Sequence, residues 1–250
     1  MHPPKPGSQD LSPKWSFPVD LTQESLDKAE LVDNLSGIVK FGSLKADVMM
    51  NHMFDWDGLT TYRAISDLFH IPIVGSGVTA YILAEHKAIT RDVLKAAGVP
   101  VAPGEMLRKG GKEKTTMELP FIVKPCVEGN SFGVSLCRTQ EEVAPAIAKA
   151  FDHDDEILVE KFIPLGREFR VAVMETEEGN LRVLPPIEYG VNKERQIRAV
   201  FDKFNLDKGG NLTGFHMNTK EEEKCPADVD DQLMAKFSDA VTKAHRALDC

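Results

Sequence analysis

Positive charge, cysteine and long apolar runs are all scarce in this sequence, and each shortage removes a class of function. Lys and Arg number 30 against 39 Asp and Glu, a net charge of −9 with a pI near 5.3. The broad basic footprint that grips nucleic acid or an anionic membrane is therefore missing, and any polyanion bound here must be held by a few local cations. No apolar run approaches the ~20 residues that span a bilayer. The polar, proline-bearing start also lacks the hydrophobic region of a signal peptide, so a cytoplasmic protein is expected. The four cysteines, Cys126, Cys137, Cys225 and Cys250, form no CxxC pair and match no histidine spacing. They read as free thiols in a reducing compartment. What remains is ordinary for a globular chain: 42% apolar and 28% charged residues over 250 positions, enough for one large domain or two small ones.

The most informative stretch is Pro120 to Leu136, PFIVKPCVEGNSFGVSL. Phe121, Ile122 and Val123 suit a buried strand that ends at Lys124, and Pro125 holds that lysine in an extended conformation. Gly129 and Gly133 bracket Asn130, Ser131 and Phe132 in a segment with free N–H groups and access to positive φ, as a loop closing over phosphates requires. Val134 to Leu136 returns as a second strand. Taken alone, the stretch fits an ordinary hairpin with a surface lysine equally well.

Along the chain, residues 2–18 (HPPKPGSQDLSPKWSFP) predict an irregular tail, Leu21 to Leu35 a helix after the cap Thr22, and Ala46 to Asn51 a buried strand. A helix over Leu59 to Phe69 and the segment His70 to Gly77 give a βαβ character. Thr79 to Ala97 predicts one helix, stopped by Gly98 and Pro100, with Lys87 and Arg91 one turn apart on what would ordinarily be a solvated basic face. Gln140 to Phe151 is an amphipathic helix, and DHDDE at 152–156 a solvated loop. Ile157 to Ile163 and Gly166 to Met174 predict strands that carry charges, which are costly inside strands unless they meet a ligand or partner. Arg182 to Tyr189 predicts another strand, Asn192 to Glu223 a long loop, and Asp231 to Leu248 a final helix.

Lys87, VKP at 123–125, EGNSFGV at 128–134, EKFI at 160–163 and GREFRVAV at 166–173, in this order, resemble the ATP-grasp superfamily and within it the D-alanine:D-alanine ligases. GSGVTAYILAEHKAITRDVLKAAGVPVAP at 75–103 is similar to that family's entry helix, and the resemblance spans roughly Asp47 to Cys250. It implies an α/β (α+β) ATP-grasp fold with a shortened N-terminal α/β region and an incomplete C-terminal sheet. The expected division is a tail at 1–20, a remnant of the N-terminal substrate domain at 21–84, the central subdomain at 85–155 and a partial C-terminal subdomain at 156–250. By resemblance, Lys87 and Lys124 hold ATP phosphates, and Glu128, Gly129, Asn130, Ser131, Phe132, Gly133 and Val134 form the covering flap. Glu160, Lys161 and Ile163 would read adenine, Phe162 stack on it, Glu168 accept from the ribose hydroxyls, and Lys203 act from the mobile substrate loop. The implied reaction joins two amino acids through an acyl phosphate, releasing ADP and phosphate. The implied partners are small amino acids, with a homodimer left open and neither nucleic acid nor membrane involved.

The chain also departs from the family pattern. Asn130 stands where the family has serine, Phe204 where it commonly has tyrosine, and the glycine-rich N-terminal strand-turn has no match before Asp47. The resemblance implies Mg2+, yet its ligands would lie on two strands downstream of Cys250, so no metal ligand is assigned within these residues. A C-terminally incomplete, inactive nucleotide binder is the expectation for the 250 residues alone, unless Glu188, Asp202 or Asp207 supplies a metal site. A non-catalytic relative and another carboxylate-amine ligase stay open as alternatives.

Overall fold

The computed structural model of the chain describes residues 34–43, 45–51, 56–164, 166–190, 204–206, 212–215 and 223–250. Helix α1 (Asn34–Ser43) opens the described part, so most of the helix expected from Leu21 to Leu35 lies outside it. The strand expected at 46–51 reduces to a single parallel bridge between Met49 and Ile73, and the short helices α2 (Trp56–Leu59) and α3 (Thr61–Leu68) fall between the two partners. The expected βαβ unit is therefore present in minimal form. From α3 the buried Arg63 donates to the Ser76 carbonyl at 2.9 Å and to Tyr81 Oη at 3.1 Å, with its guanidinium 4.0 Å from the centre of the Tyr81 ring. That side chain fixes the Gly75-Ser76-Gly77 turn against the next helix.

The single helix expected over 79–97 is two, α4 (Val78–Glu85) and α5 (Lys87–Ala96). His86 separates them in an extended conformation, φ −89° and ψ 98°. Its Nδ1 accepts from the Ile89 N–H at 3.3 Å as the cap of α5, while its Nε2 lies 2.9 Å from Glu156 Oε2. An acceptor at Nδ1 places the proton on Nε2, which then donates to the carboxylate.

The centre of the fold is an antiparallel sheet of β1 (Gly104–Arg108), β2 (Phe121–Pro125), β3 (Ser135–Cys137) and β4 (Glu156–Lys161), in the order β1-β4-β2-β3. Successive side chains of a strand face opposite sides. Leu107, Phe121, Val123, Ile157 and Val159 therefore share one face, where they pack on Val143, Ala146, Ala150 and Phe151 of α6 (Gln140–Phe151). Helix α6 begins as expected, with a capping box in which Thr139 and Glu142 satisfy each other's backbone N–H groups. On the opposite face Leu158 and Cys126 pack against Ala88 of α5, and Ile122, Lys124 and Glu160 share that side. The strand expected from Ile157 to Ile163 is β4, running from Glu156 to Lys161 as an inner strand of this sheet.

Beyond the sheet, the strand expected at 166–174 is split into β5 (Glu168–Arg170) and β6 (Val173–Glu175), and the one expected at 182–189 into β7 (Leu181–Val183) and β8 (Ile187–Tyr189). β6 pairs with β7 and β5 with β8, with a one-residue shift in register between the two ladders. Pro185 and Pro186 lie at that shift, and proline has no N–H to continue a ladder. Two short antiparallel strands, β9 (Phe204–Leu206) and β10 (Leu212–Phe215), fall inside the segment expected to be loop from 192 to 223. β11 (Glu223–Lys224) adds to β8, and α7 (Asp231–Ala247) packs on β6, β7 and α5. The Phe237 and Phe169 rings lie 4.9 Å apart and tie α7 to β5.

One carboxylate of the sheet makes stability depend on pH. Glu105 on β1 accepts from Thr115 Oγ1 at 2.6 Å, the Thr116 N–H at 2.6 Å and Lys112 Nζ. Burial opposes its ionisation, but these donors outweigh burial and hold its pKa at about 2. A depressed folded-state value gives stability that is full above the unfolded value of about 4.3 and is lost as pH falls toward about 2. The urea midpoint of the wild type is expected to drop across that interval. Glu105→Gln is expected to lower the midpoint at neutral pH and to flatten that part of the profile. Identical profiles for the two proteins would remove Glu105 from the account.

Candidate functional site

The His86 elbow turns Lys87, the first residue of α5, toward the end of β2. The Lys87 N–H donates to the Cys126 carbonyl at 2.9 Å, and its Nζ donates to the carbonyls of Cys126 at 3.3 Å and Glu128 at 2.5 Å. Burial, followed by repulsion from Lys124, lowers the Lys87 pKa. Lys124 Nζ lies 2.5 Å from Glu160 Oε1, and both side chains are about one-fifth exposed. Register explains the pair: Ile122 is opposite Glu160 and Lys124 opposite Leu158, so the two charges meet diagonally on one face. Lys124 is thus partly buried and paired, which departs from a surface lysine on an ordinary hairpin.

The loop between β2 and β3 turns tightly. Asn130, Ser131 and Gly133 have φ of 52°, 68° and 69°. The Phe132 N–H donates to the Gly129 carbonyl at 3.1 Å, and Glu128 Oε1 accepts from the Gly129 N–H at 3.0 Å. The base of the loop is held from the far side of the sheet, where Asp154 accepts from the Val127 N–H at 2.8 Å and from the Glu156 N–H at 3.0 Å. Glu156 in turn takes the Nε2–H of His86 and a bond from Arg108, and these hydrogen bonds, His86 first, hold its carboxyl below the usual range. The Glu156 carbonyl accepts the Cys126 N–H at 2.9 Å, closing a circuit through His86, Glu156, Cys126 and Lys87.

A cleft of about 460 Å3 opens between the α4–α5 elbow, the exposed side of β2 and this loop. Lys87, Lys124, Glu128, Gly129, Asn130, Ser131 and Val134 line it together, as do Glu85 and Ile122. Glu160 joins them through its bond to Lys124. Gly133 is buried behind the lining, and the Phe132 ring turns toward His153 with centroids 6.4 Å apart. Lys161, Phe162, Ile163 and Glu168 do not line this cleft. The Lys161 N–H already donates to the Pro103 carbonyl at 2.8 Å and the Phe162 N–H to that of Pro120 at 3.2 Å, while Ile163 and Glu168 are exposed. Lys203 lies outside the described residues.

The run DHDDE, expected as a solvated loop, supplies two of the most constrained carboxylates here, Asp154 and Glu156. Their partners are far away in sequence, so the acidic run by itself gives no sign of them. The basic face expected around Lys87 and Arg91 is not solvated either: Lys87 is half-buried and the Arg91 side chain 15% exposed.

Cys126 is fully buried beneath this site, and burial with the nearby Asp154 charge pushes its thiol up to about 12. Cys137 is also buried, whereas Cys225 and Cys250 are exposed. A thiol reagent is therefore expected to modify Cys225 and Cys250 in the native protein and Cys126 and Cys137 only after denaturation. Rapid native labelling of Cys126 would show that the floor of the cleft is open.

Residues 93–250 match the family model described as D-ala D-ala ligase C-terminus. The chain is 32% identical over 209 residues to a D-alanine–D-alanine ligase of Geobacter sulfurreducens, covering 82% of this chain and 59% of that protein. It is 35% identical over 145 residues to the one of Citrifermentans bemidjiense, covering 58% of this chain and 47% of that protein. The chain thus spans about half the length of these curated relatives. In fold it is similar to the VanG D-Ala:D-Ser ligase from Enterococcus faecalis, with a TM-score of 0.65 at 22% identity over 83% of this chain and 57% of that one. It is also similar to D-alanyl-alanine synthetase A from Vibrio cholerae, with a TM-score of 0.64 at 18% identity over 81% and 59% of the two chains.

Proposed function

The chain belongs to the D-alanine–D-alanine ligase family and has its ATP-grasp fold, and from that premise we propose that the cleft holds the phosphates of ATP during ligation of two amino acids. The observation that carries the proposal is the convergence of two ammonium groups, Lys87 and Lys124, on one cleft beneath a loop held at positive φ. Lysine is a compact point charge and suits a polyphosphate. Lys87 caps backbone carbonyls and Lys124 pairs with Glu160. An entering phosphate offers both ammoniums a stronger, charge-assisted acceptor and frees the Glu160 carboxylate to accept from the adenine amino group.

Within this proposal Glu128 to Val134 covers the phosphates, Lys161 to Ile163 lies along the base with Phe162 against its face, Glu168 accepts from the ribose, and Lys203 acts from the substrate loop. The division of the chain at residues 85 and 156 belongs to the same proposal, with β4 as the strand that joins the central sheet to β5 and the later strands. In the reaction, a carboxylate oxygen of the first amino acid attacks the γ-phosphorus and ADP leaves. The amine of the second then attacks the acyl carbon, phosphate leaves with the bonding pair, and the amine gives up a proton. The chain's own contribution is to position the nucleotide and neutralise its charge. Among the described residues no group of three or more His, Cys, Asp or Glu side chains forms a magnesium site, and no step is assigned through one.

ADP release over a panel of D- and L-amino acids tests the reading. Release that depends on a D-amino acid, D-alanine foremost, is expected of the protein that carries this chain. Release independent of any amino acid, or supported by L-amino acids alone, would contradict the proposed substrate class.

A further inference from the structure

Glu85 is a cleft residue to which phosphate binding by the two lysines gives no task. It is the last residue of α4 and lines the cleft beside Lys87, Lys124 and Glu128, whereas its neighbour His86 turns away to Glu156. Among the described residues the Glu85 carboxylate makes no ion pair or hydrogen bond. Lys87 gives its Nζ to the Cys126 and Glu128 carbonyls, and Lys124 gives its own to Glu160. An unpaired, half-buried carboxylate is costly by itself, and in a cleft for polyphosphate it adds like-charge repulsion.

We propose that Glu85 sets the affinity of this cleft for polyphosphate: its carboxylate opposes the bound phosphates and takes a proton from solvent as they enter, so that binding tightens as pH falls. The proposal rests on the reading that ATP phosphates lie between Lys87 and Lys124. The groups facing Glu85 are Lys87 from α5, Lys124 from β2 and Glu128 from the loop. Burial raises its pKa, Lys87 opposes that rise and Glu128 adds to it. Glu128 has local partners, the Gly129 N–H at 3.0 Å and His153 at 4.0 Å. A bound anion raises the pKa of Glu85 further, so the complex holds more protons than the separated partners. The Kd therefore falls with pH through the interval between the free and bound values, both of which lie above the ordinary glutamate value. At neutral pH the same repulsion keeps the nucleotide loosely held and favours departure of ADP.

The test is calorimetric titration of ATP into the wild type, Glu85→Gln and Glu85→Asp, in buffers of different ionisation enthalpy and at several pH values. The wild type and Glu85→Asp are expected to take up more protons on binding than Glu85→Gln. Glu85→Gln is expected to bind ATP about three- to tenfold more tightly at neutral pH and to lose most of the acid-side dependence of Kd. Equal proton uptake with unchanged affinity would overturn the proposal. So would Glu85→Gln weakening ATP only when Mg2+ is present, which would make the carboxylate a metal contact. Failure of the wild type to bind ATP would instead overturn the cleft reading and this proposal with it.

Discussion

Lys124→Ala is expected to weaken ATP binding by about 1.5 to 3 kcal/mol, the range of a charge-assisted hydrogen bond, or about 10- to 150-fold in Kd. Two effects act in the same direction. The variant loses the ammonium that faces the phosphates and leaves Glu160, about one-fifth exposed, without the partner that neutralises it. A negative charge beside an incoming polyphosphate then opposes binding. Glu160→Gln separates the two effects. It releases Lys124 from its pair, so inorganic tripolyphosphate, which has no adenine, is expected to bind more tightly than to the wild type. Titration calorimetry reads both variants. An ATP affinity unchanged by Lys124→Ala would take the lysine out of the site and return the stretch to an ordinary hairpin.

Two glycines of one loop are expected to respond very unequally to the same substitution. Gly133 has φ of 69°, and a Cβ there would sit 2.6 Å from Pro125 Cγ and 2.9 Å from His153 Cδ2. Gly133→Ala must therefore adopt a left-handed conformation and also displace a proline ring of β2, at a combined cost of about 2 to 4 kcal/mol. Gly129, four positions earlier, has nothing within 4 Å of such a Cβ. It also has no positive φ, so Gly129→Ala is expected to stay within about 0.5 kcal/mol of the wild type. Urea unfolding of both variants checks the contrast. Equal stabilities would mean that the turn at 130–133 is not built as described. Because Pro125 adjoins Lys124, Gly133→Ala is also expected to weaken ATP, which a purely local defect in the turn would not do.

Elements governed by local chemistry were readable in the sequence. β2 follows from the β-branched and aromatic run at 121–123, the turn from its glycines, and α6 from its apolar period and the Thr139 to Glu142 cap. The features that escaped depend on a partner remote in sequence. Nothing in the period of 79–97 marks His86 as a break; the break is fixed by Glu156, 70 residues away. β5 and β6 separate because the prolines that interrupt the ladder lie between their partner strands, at 185 and 186, not in 166–174. Asp154 and Glu156 look like solvent-facing acids until the sheet places the Val127 N–H and the His86 ring against them. The same distinction holds at the site. Lys87, Lys124 and most of the 128–134 loop meet in one cleft, while Glu85 is invisible beforehand because its place there is set by the elbow at His86.

The most direct test of the central claim is a structure of the protein with a non-hydrolysable ATP analogue. The account predicts phosphate oxygens within ~3 Å of both Lys87 Nζ and Lys124 Nζ, beneath the loop at 128–134, with the Lys124–Glu160 pair broken. A nucleotide bound elsewhere, or bound with that pair intact, would contradict it.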